Sequence, residues 1–96
     1  EIITTVSETK PVGMQFEASP NPFHNTIDIR VETMSAGVIS LGLYTVSGQL
    51  RMMIEDNSRQ PGIHSYKPDV SNLAKGVYIL ILKTGDSIRY KKIIRD

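Results

Sequence analysis

The chain has 96 residues, of which 40% are hydrophobic and 22% charged, values that are ordinary for one small soluble globular domain. Its net charge of +1 gives no overall field that would draw it to nucleic acid or to a membrane surface. It contains no apolar stretch of about 18 residues that could cross a bilayer. The absence of cysteine excludes disulfides, cysteine-ligated zinc and thiol catalysis. No signal peptide is visible and the first residue is Glu1, so we expect the chain to be part of a longer protein.

Most of the chain alternates between apolar and polar residues, which is the pattern of half-buried strands. The pattern predicts strands at 14–18, 26–32, 38–46, 50–56, 63–67, 77–84 and 87–95. About seven short antiparallel strands separated by regular turns predict an all-β, immunoglobulin-like β-sandwich. Residues 1–13 are rich in Thr, Ser, Lys, Pro and Gly, and we interpret them as a linker or edge strand from an upstream domain. Residues 14–96 are then the β-sandwich itself.

The apolar face of each early strand gives a predicted core. The residues expected to face inward are Met14, Phe16, Ala18, Ile27, Ile29, Val31, Ile39, Leu41, Leu43, Leu50, Met52 and Ile54. Gly42 interrupts the third strand and predicts a β-bulge or a closely packed neighbour. Residues 77–84 are apolar on both faces, so we expect a central strand there.

Strong turn signals separate these strands. Pro20-Asn21-Pro22 precedes the first long strand, and its two prolines fix φ near −65° and keep the residues before them extended. Residues 46–49 predict a tight turn in which Gly48 supplies a positive φ. Residues 57–62 predict a longer turn, and Gly85-Asp86 predicts a two-residue hairpin.

The loop before the sixth strand predicts a closed corner. Asp69 and Ser71 are expected to hydrogen-bond to nearby backbone N–H groups. Leu73 is the apolar residue of a polar loop, and we expect it to cover the open end of the sandwich. Gly76 permits a positive φ, and Tyr78 is placed to pack its ring inward and return its hydroxyl to the loop, as in the tyrosine corner of Greek-key sandwiches.

Candidate catalytic and metal-binding groups are few. His24 and His64 have no second histidine or carboxylate at ligand spacing, and we interpret both as solvated surface residues. Glu55 and Asp56 are adjacent, so in a strand they point to opposite faces and do not form a catalytic pair. Nothing resembles a phosphate-binding glycine loop or a nucleophile elbow. We therefore expect no enzyme activity, no metal and no cofactor.

Basic residues are concentrated in the last part of the chain, at Lys83, Arg89, Lys91, Lys92 and Arg95. One interpretation is that charges on an edge strand discourage edge-to-edge aggregation. The other is that a partner recognises a basic tail, or that the patch binds an anionic lipid or polysaccharide. Nucleic acid is disfavoured because no aromatic platform other than Tyr90 accompanies the charges. An exposed last strand could also pair with a second copy, so the oligomeric state stays open.

Several motifs occur in a fixed order. They are the Pro20-Asn21-Pro22 turn before an alternating strand, LYTVSGQL at 43–50, DVSNLAKGVYIL at 69–80 and YKKIIRD at 90–96. In this order and spacing they resemble the type A C-terminal sorting domain of cargo proteins of the type IX secretion system in Bacteroidetes. The resemblance runs from about residue 14 to residue 96. In that family the domain is a small immunoglobulin-like β-sandwich at the end of a secreted protein.

This resemblance implies a non-catalytic secretion signal. The type IX translocon would carry the cargo, which lies upstream in the same chain, from the periplasm across the outer membrane. A sortase-like surface peptidase would then usually remove the domain within or just before residues 1–13 and link the secreted cargo to an anionic lipopolysaccharide at the cell surface. The resemblance also implies the motif residues Pro20, Asn21, Pro22, Leu43, Tyr44, Gly48, Asp69, Ser71, Leu73, Gly76, Tyr78, Lys91, Lys92, Ile93, Ile94 and Arg95.

The alternative is a generic immunoglobulin-like accessory or carbohydrate-binding module of a secreted hydrolase. A carbohydrate-binding module predicts exposed aromatic side chains on a concave face. The candidates are Tyr44, Tyr66, Tyr78 and Tyr90, and binding to a glycan array would favour this alternative.

Overall fold

The computed structural model describes residues 14–85 and 87–96, with the side chain of Met14 outside the description. Within these residues the chain forms strands and no helix, so none of its described segments is a helix able to cross a membrane. The strands are β1 (Met14–Ser19), β2 (Asp28–Thr33), β3 (Gly37–Thr45), β4 (Leu50–Arg59), β5 (Gly62–Tyr66), β6 (Gly76–Thr84) and β7 (Ser87–Arg95). The interpretation of residues 1–13 as a linker or edge strand, and the part of Asp86 in a hairpin turn, lie outside the described residues.

The strands form two antiparallel sheets. One sheet has the order β1-β2-β5 and the other the order β4-β3-β6-β7. The chain passes from one sheet to the other between β2 and β3, between β4 and β5, and between β5 and β6. This arrangement confirms the prediction of an all-β, immunoglobulin-like sandwich. It also confirms that β6 is central, since it lies between β3 and β7.

The core lies between the sheets and is built from alternate residues of the strands. Because side chains in a strand point to opposite faces in turn, every second residue of β2, β3 and β6 reaches the interior. The fully or nearly fully buried hydrophobic residues are Phe23, Ile27, Ile29, Val31, Ile39, Leu41, Leu43, Val70, Tyr78, Leu80, Leu82 and Ile93. Phe16, Ala18, Met52, Ile54 and Leu73 pack against this core while half-buried. The predicted inward faces of β1, β2 and β3 are confirmed for the side chains that the structure describes.

The prediction for β4 is wrong in two respects. Leu50 was expected in the core but is 46% exposed, because it pairs with Tyr44 on the outer face. The pairing of β3 with β4 shifts register at two places, so strict alternation does not hold along β4. The strand also continues through residues 57–59, which the sequence assigned to a turn. As a result Glu55, and not Leu50, is buried, while Asp56 is exposed on the opposite face.

Gly42 fulfils both predictions made for it. One register shift lies between Leu41 and Gly42, which identifies a bulge. A Cβ atom at Gly42 would lie only 2.8 Å from Cε1 of the Tyr44 ring, so the ring packs directly over the glycine. A larger residue at this position would displace Tyr44 from the outer face of the sheet.

The strand directions place the sequence motifs at one end of the sandwich. At this end lie the β1–β2 loop (20–27), the β3–β4 turn (46–49), the β5–β6 loop (67–75) and the end of β7. We call these segments the motif end. The opposite end carries the β2–β3 and β4–β5 connections and Gly85.

Candidate recognition site at the motif end

The Pro20-Asn21-Pro22 turn docks on the last strand. Both of its X-Pro peptide bonds, Ser19–Pro20 and Asn21–Pro22, are cis. The Asn21 side chain accepts a hydrogen bond at Oδ1 from the backbone N–H of Ile94 (2.9 Å) and donates one from Nδ2 to the carbonyl of Lys92 (3.2 Å). Asn21 therefore occupies the outer side of β7, as the backbone of a neighbouring strand would.

Phe23 continues this attachment, although the sequence analysis did not single it out. Its N–H donates to the carbonyl of Ile94 (2.8 Å) and its carbonyl accepts from the N–H of Asp96 (2.9 Å). The two segments run parallel, with Phe23 opposite Arg95. The Phe23 ring is fully buried in the core. The sequence did contain a signal for this role, since Phe23 directly follows the Pro20-Asn21-Pro22 turn. A large apolar ring at that position indicates that the end of the turn is anchored in the core.

The β5–β6 loop forms the predicted corner. The Tyr78 hydroxyl donates a 2.6 Å hydrogen bond to the carbonyl of Ala74, and its ring is 6% exposed. Leu73 packs against the core, and Gly76 has a φ of 145°. The tyrosine corner, the covering role of Leu73 and the positive φ of Gly76 are confirmed.

Asp69 orders the beginning of the same loop. Its Oδ1 atom accepts hydrogen bonds from the Ser71 hydroxyl (2.7 Å) and the Ser71 N–H (3.0 Å). These bonds hold the pKa of Asp69 below its ordinary value. The Ser71 hydroxyl thus bonds to the carboxylate, and not to a backbone N–H as predicted. The next residue links the loop to the opening segment, since the Val70 N–H donates to the carbonyl of Asn25 (2.8 Å).

Arg95 joins this loop to β7. Its Nε donates to the carbonyl of Val70 (3.3 Å) and its Nη2 to the carbonyl of Ser71 (3.2 Å). Since Asn21 and Phe23 also bond to the last residues of this strand, the end of β7 is attached to two loops at once. The structure therefore brings together the opening turn, the corner loop and the terminal motif, which lie far apart in the sequence.

The remaining terminal residues have different environments. Ile93 is fully buried, and Ile94 is 38% exposed. The Lys91 ammonium lies 5.8 Å from the centre of the Phe16 ring on β1, within the range of a cation–π contact. The Lys92 side chain is exposed. Lys92 therefore presents its charge to solvent more fully than Lys91 does.

The Gly48 turn lies at the same end but is not bonded to the other motifs. Gly48 has a φ of 93°, and its N–H donates to the carbonyl of Thr45 (3.0 Å), so the predicted tight turn is confirmed. Leu43 is a core residue and Tyr44 covers Gly42. No hydrogen bond in the described part of the chain joins this turn to β7.

Groups that could support catalysis or metal binding are scattered. Among the residues that the structure describes, no three His, Cys, Asp or Glu side chains lie close enough to hold a metal ion. His24 is exposed, as predicted. His64 lies at the surface as predicted but is partly buried, and its Nε2 lies 2.9 Å from the carbonyl of Gln60 in a solvent-exposed hydrogen bond. The inward alternation of β5 explains this, since His64 pairs with the buried Val31.

A second polar cluster surrounds Glu55 on β4 and was not predicted. Asn57 Nδ2 donates to one Glu55 carboxylate oxygen (2.9 Å), and Arg59 Nε donates to the other (2.9 Å). The hydrogen bond from Asn57 and, after it, that from Arg59 lower the pKa of Glu55, although burial opposes them. Burial first, and then the Glu55 carboxylate, raise the pKa of Tyr66 to about 12. Glu55, Asn57 and Arg59 all lie on β4, so these hydrogen bonds order the second half of that strand.

Comparison with known proteins identifies the family. A family model described as the secretion system C-terminal sorting domain matches residues 18–96, a range that contains every motif residue placed above. No curated protein and no solved structure matches the chain. The match covers most of the sequence and begins just before the turn that docks on β7. The chain therefore belongs to the family of C-terminal sorting domains of the type IX secretion system.

Proposed function

We propose that the type IX translocon recognises this sorting signal through its folded motif end, with β7 at the centre of the contact. Membership in the family supports a C-terminal sorting signal, and the proposal takes its cargo to lie upstream in the same chain and to be exported across the outer membrane. The proposal adds that recognition requires the folded arrangement of three segments, not the last residues alone. It also adds that the domain takes no catalytic part.

The observation that carries this proposal is the attachment of β7 at its end. Asn21 and Phe23 hold one side of the strand by hydrogen bonds to Lys92 and Ile94. The Arg95 side chain holds the loop at residues 70–71. The backbone bonds of Phe23 and the side-chain bonds of Asn21 and Arg95 together fix the position of the last residues relative to the sandwich. A receptor that binds Lys92 and its neighbours would therefore contact them in one fixed geometry.

Removal of the domain after export belongs to the same proposal. A sortase-like surface peptidase would cut within or just before residues 1–13, and the released cargo would be linked to an anionic lipopolysaccharide at the cell surface. The support is family membership together with the position of these residues directly before β1. A cut at this place would leave the described sandwich whole.

The alternative of a carbohydrate-binding module finds less support. Among the described aromatic residues, Tyr90 is 61% exposed, whereas Tyr78 is buried and Tyr44 and Tyr66 are half-buried. A single strongly exposed ring does not make the row of aromatic side chains that sugar stacking uses. The buried tyrosine is instead explained by its corner hydrogen bond.

An export assay tests the proposal. Residues 1–96 are fused to the C-terminus of a fluorescent protein that carries a signal peptide, in a Bacteroidetes host with the type IX machinery. Matched fusions carry Asn21→Ala or Asn25→Ala, or end at Tyr90. Asn25 is exposed in the same loop and its side chain makes no hydrogen bond in the described structure. Cell fractionation and the size of the exported product report export and cleavage.

We expect the intact and Asn25→Ala fusions to reach the surface or the medium, with a size shift where the domain is removed. The truncated fusion should stay in the periplasm, and Asn21→Ala should be exported less. Folding of each purified domain is checked by circular dichroism. Export of the truncated fusion at the normal level would contradict a role for β7. Normal export of a folded Asn21→Ala fusion would contradict the need for the assembled motif end.

A further inference from the structure

Among residues 14–85 and 87–96, those that cover the outer side of β7 reach only half of its length. β7 is the last strand of its sheet, and its inward-facing residues alternate with exposed ones from Ile88 to Ile94. The N–H and C=O of Ile94 and the carbonyl of Lys92 point away from β6 and bond to the opening segment. Because backbone groups of an antiparallel strand alternate in direction, those of Ile88 and Tyr90 point the same way. None of the described residues bonds to them.

This uncovered edge is exposed and regular. Ile88 is 54% exposed and Tyr90 is 61% exposed. The pairing of β7 with β6 continues without a shift from Thr84–Ser87 to Gly76–Arg95, so no bulge turns the edge away. The outward N–H groups of Ile88, Tyr90 and Lys92 and the outward carbonyls of Ile88 and Tyr90 offer a strand the hydrogen bonds it needs.

The side chains along this edge define what it can accept. Arg89 and Lys91 lie on the inner side and are half-buried, and Lys92 is exposed on the outer side. The ion pairs of the described structure join Arg59 to Glu55 and Lys67 to Asp28, so the basic residues of β7 have no carboxylate partner there. The outer side next to Tyr90 is apolar, since Ile81 is its neighbour on β6. Acidic residues opposite the bases, alternating with apolar residues, would complement this edge.

Charge also argues against a second copy of the chain as the occupant. In an antiparallel pairing of two β7 strands about Tyr90, Arg89 of one strand would lie opposite Lys91 of the other. Like charges directly opposite each other destabilise a sheet. The edge therefore resists self-pairing and favours a strand of opposite charge.

We propose that the edge of β7 from Ile88 to Lys92 binds an extended segment of a partner protein in which Asp or Glu alternates with apolar residues. The segment adds to the four-stranded sheet as a further strand and ends where Asn21 covers β7. Backbone hydrogen bonds supply affinity, and Arg89 and Lys91 select acidic side chains. Binding of such a segment is measurable without export, so this site stands or falls separately from the proposed function.

The probe is a fluorescein-labelled peptide of alternating Glu and Val, titrated with the 96-residue chain by fluorescence anisotropy. A peptide of alternating Lys and Val is the charge control. Tyr90→Pro removes one outward N–H and leaves the bonds to β6 intact, because that N–H points away from β6. Arg89→Gln removes one base of the edge, and Lys75→Gln removes a base from the exposed corner loop at the motif end. Hydrogen exchange of the Tyr90 and Lys92 amides in the unaltered chain provides a measurement that needs no variant.

We expect saturable binding of the Glu-Val peptide and slower exchange of both amides in its presence. Tyr90→Pro should weaken binding about tenfold or more and Arg89→Gln several-fold, whereas Lys75→Gln should leave it unchanged. Added salt should weaken binding. Equal binding of the Lys-Val peptide, no saturable binding, or unchanged exchange at Tyr90 would overturn the proposal. Self-association of the chain with protection of the same amides would assign the edge to a second copy and would also overturn it.

Discussion

The two edge strands of the four-stranded sheet, β4 and β7, meet the solvent in different ways. β4 is irregular, because its pairing with β3 shifts register between Leu41 and Gly42 and again between Leu43 and Tyr44. β7 pairs with β6 in one register along its whole length. Bulges and inward-pointing charges are devices that keep an edge from pairing with another strand. Only β4 carries both, since Glu55 is buried on it.

β7 is instead protected by its neighbours and its charge. Asn21 and Phe23 cover its second half, and basic side chains flank its first half. The comparison teaches that the two edges differ in what they offer to a further strand. The β4 edge is distorted by its register shifts, whereas the described part of the β7 edge is regular enough to pair with a strand. The variants below disturb either edge, and each has a counterpart that should not.

The largest effect is expected from the core anchor of β7. Ile93→Ala should lower the free energy of unfolding by about 2–4 kcal/mol, because Ile93 is fully buried and truncation leaves a cavity. Its neighbour Ile94 is 38% exposed and serves as the control, with an expected loss below about 1 kcal/mol. Urea unfolding followed by circular dichroism measures both variants. Equal losses would contradict the described orientation of β7.

The next largest change in stability is expected from Asn21, whose side chain bonds to the outer side of β7. Asn21→Ala should lower the free energy of unfolding by about 1–2 kcal/mol, because two hydrogen bonds to the strand are lost. The Ile94 amide, which donates to Asn21, should exchange with solvent faster. Asn25→Ala should change neither quantity. Unchanged exchange at Ile94 in a folded Asn21→Ala variant would mean that the turn does not depend on this side chain.

These two edges also show what the sequence could and could not predict. The bounds of β7 followed from alternation and from the turn signal before it, and the prediction of residues 87–95 is confirmed. β4 could not be predicted residue by residue, because Gly42 on β3 signals a bulge but does not show which residues of β4 the register shifts turn inward or outward. The hydrogen bond from Ile94 to Asn21 spans 73 positions, and no periodicity indicates so distant a contact. Tyr78 was predictable because its partner Ala74 is only four residues away.

The Glu55 cluster on β4 should make stability depend on pH. Hydrogen bonds, first from Asn57 and then from Arg59, hold the pKa of Glu55 below its ordinary value in the folded state. The charged form is thus favoured on folding, so its contribution is complete above the unfolded pKa of about 4.3 and is lost as the pH falls below it. Glu55→Gln should therefore be less stable than the unaltered chain at pH 7, and the difference should shrink in acid.

Thermal unfolding at a series of pH values measures this difference. Asn57→Ala removes the hydrogen bond that lowers the pKa of Glu55 most, and should reduce the same pH dependence to a smaller extent. A stability difference that stays constant from neutral pH into acid would show that the carboxylate charge contributes nothing at this edge.

The smallest change in stability is expected for loss of the Tyr66 hydroxyl on β5. The matched comparison is Tyr78 on β6, which pairs with Ile93 of β7. Tyr78→Phe removes a hydroxyl that donates to Ala74 and should lower the free energy of unfolding by about 1 kcal/mol. The Tyr66 hydroxyl is buried, and no described group lies in hydrogen-bonding geometry with it. Tyr66→Phe removes a desolvated polar atom, so stability at pH 7 should stay within about 0.5 kcal/mol or rise. A loss at Tyr66 as large as that at Tyr78 would show that the Glu55 carboxylate accepts a hydrogen bond from Tyr66, and that the β4 edge is held by a closed polar network.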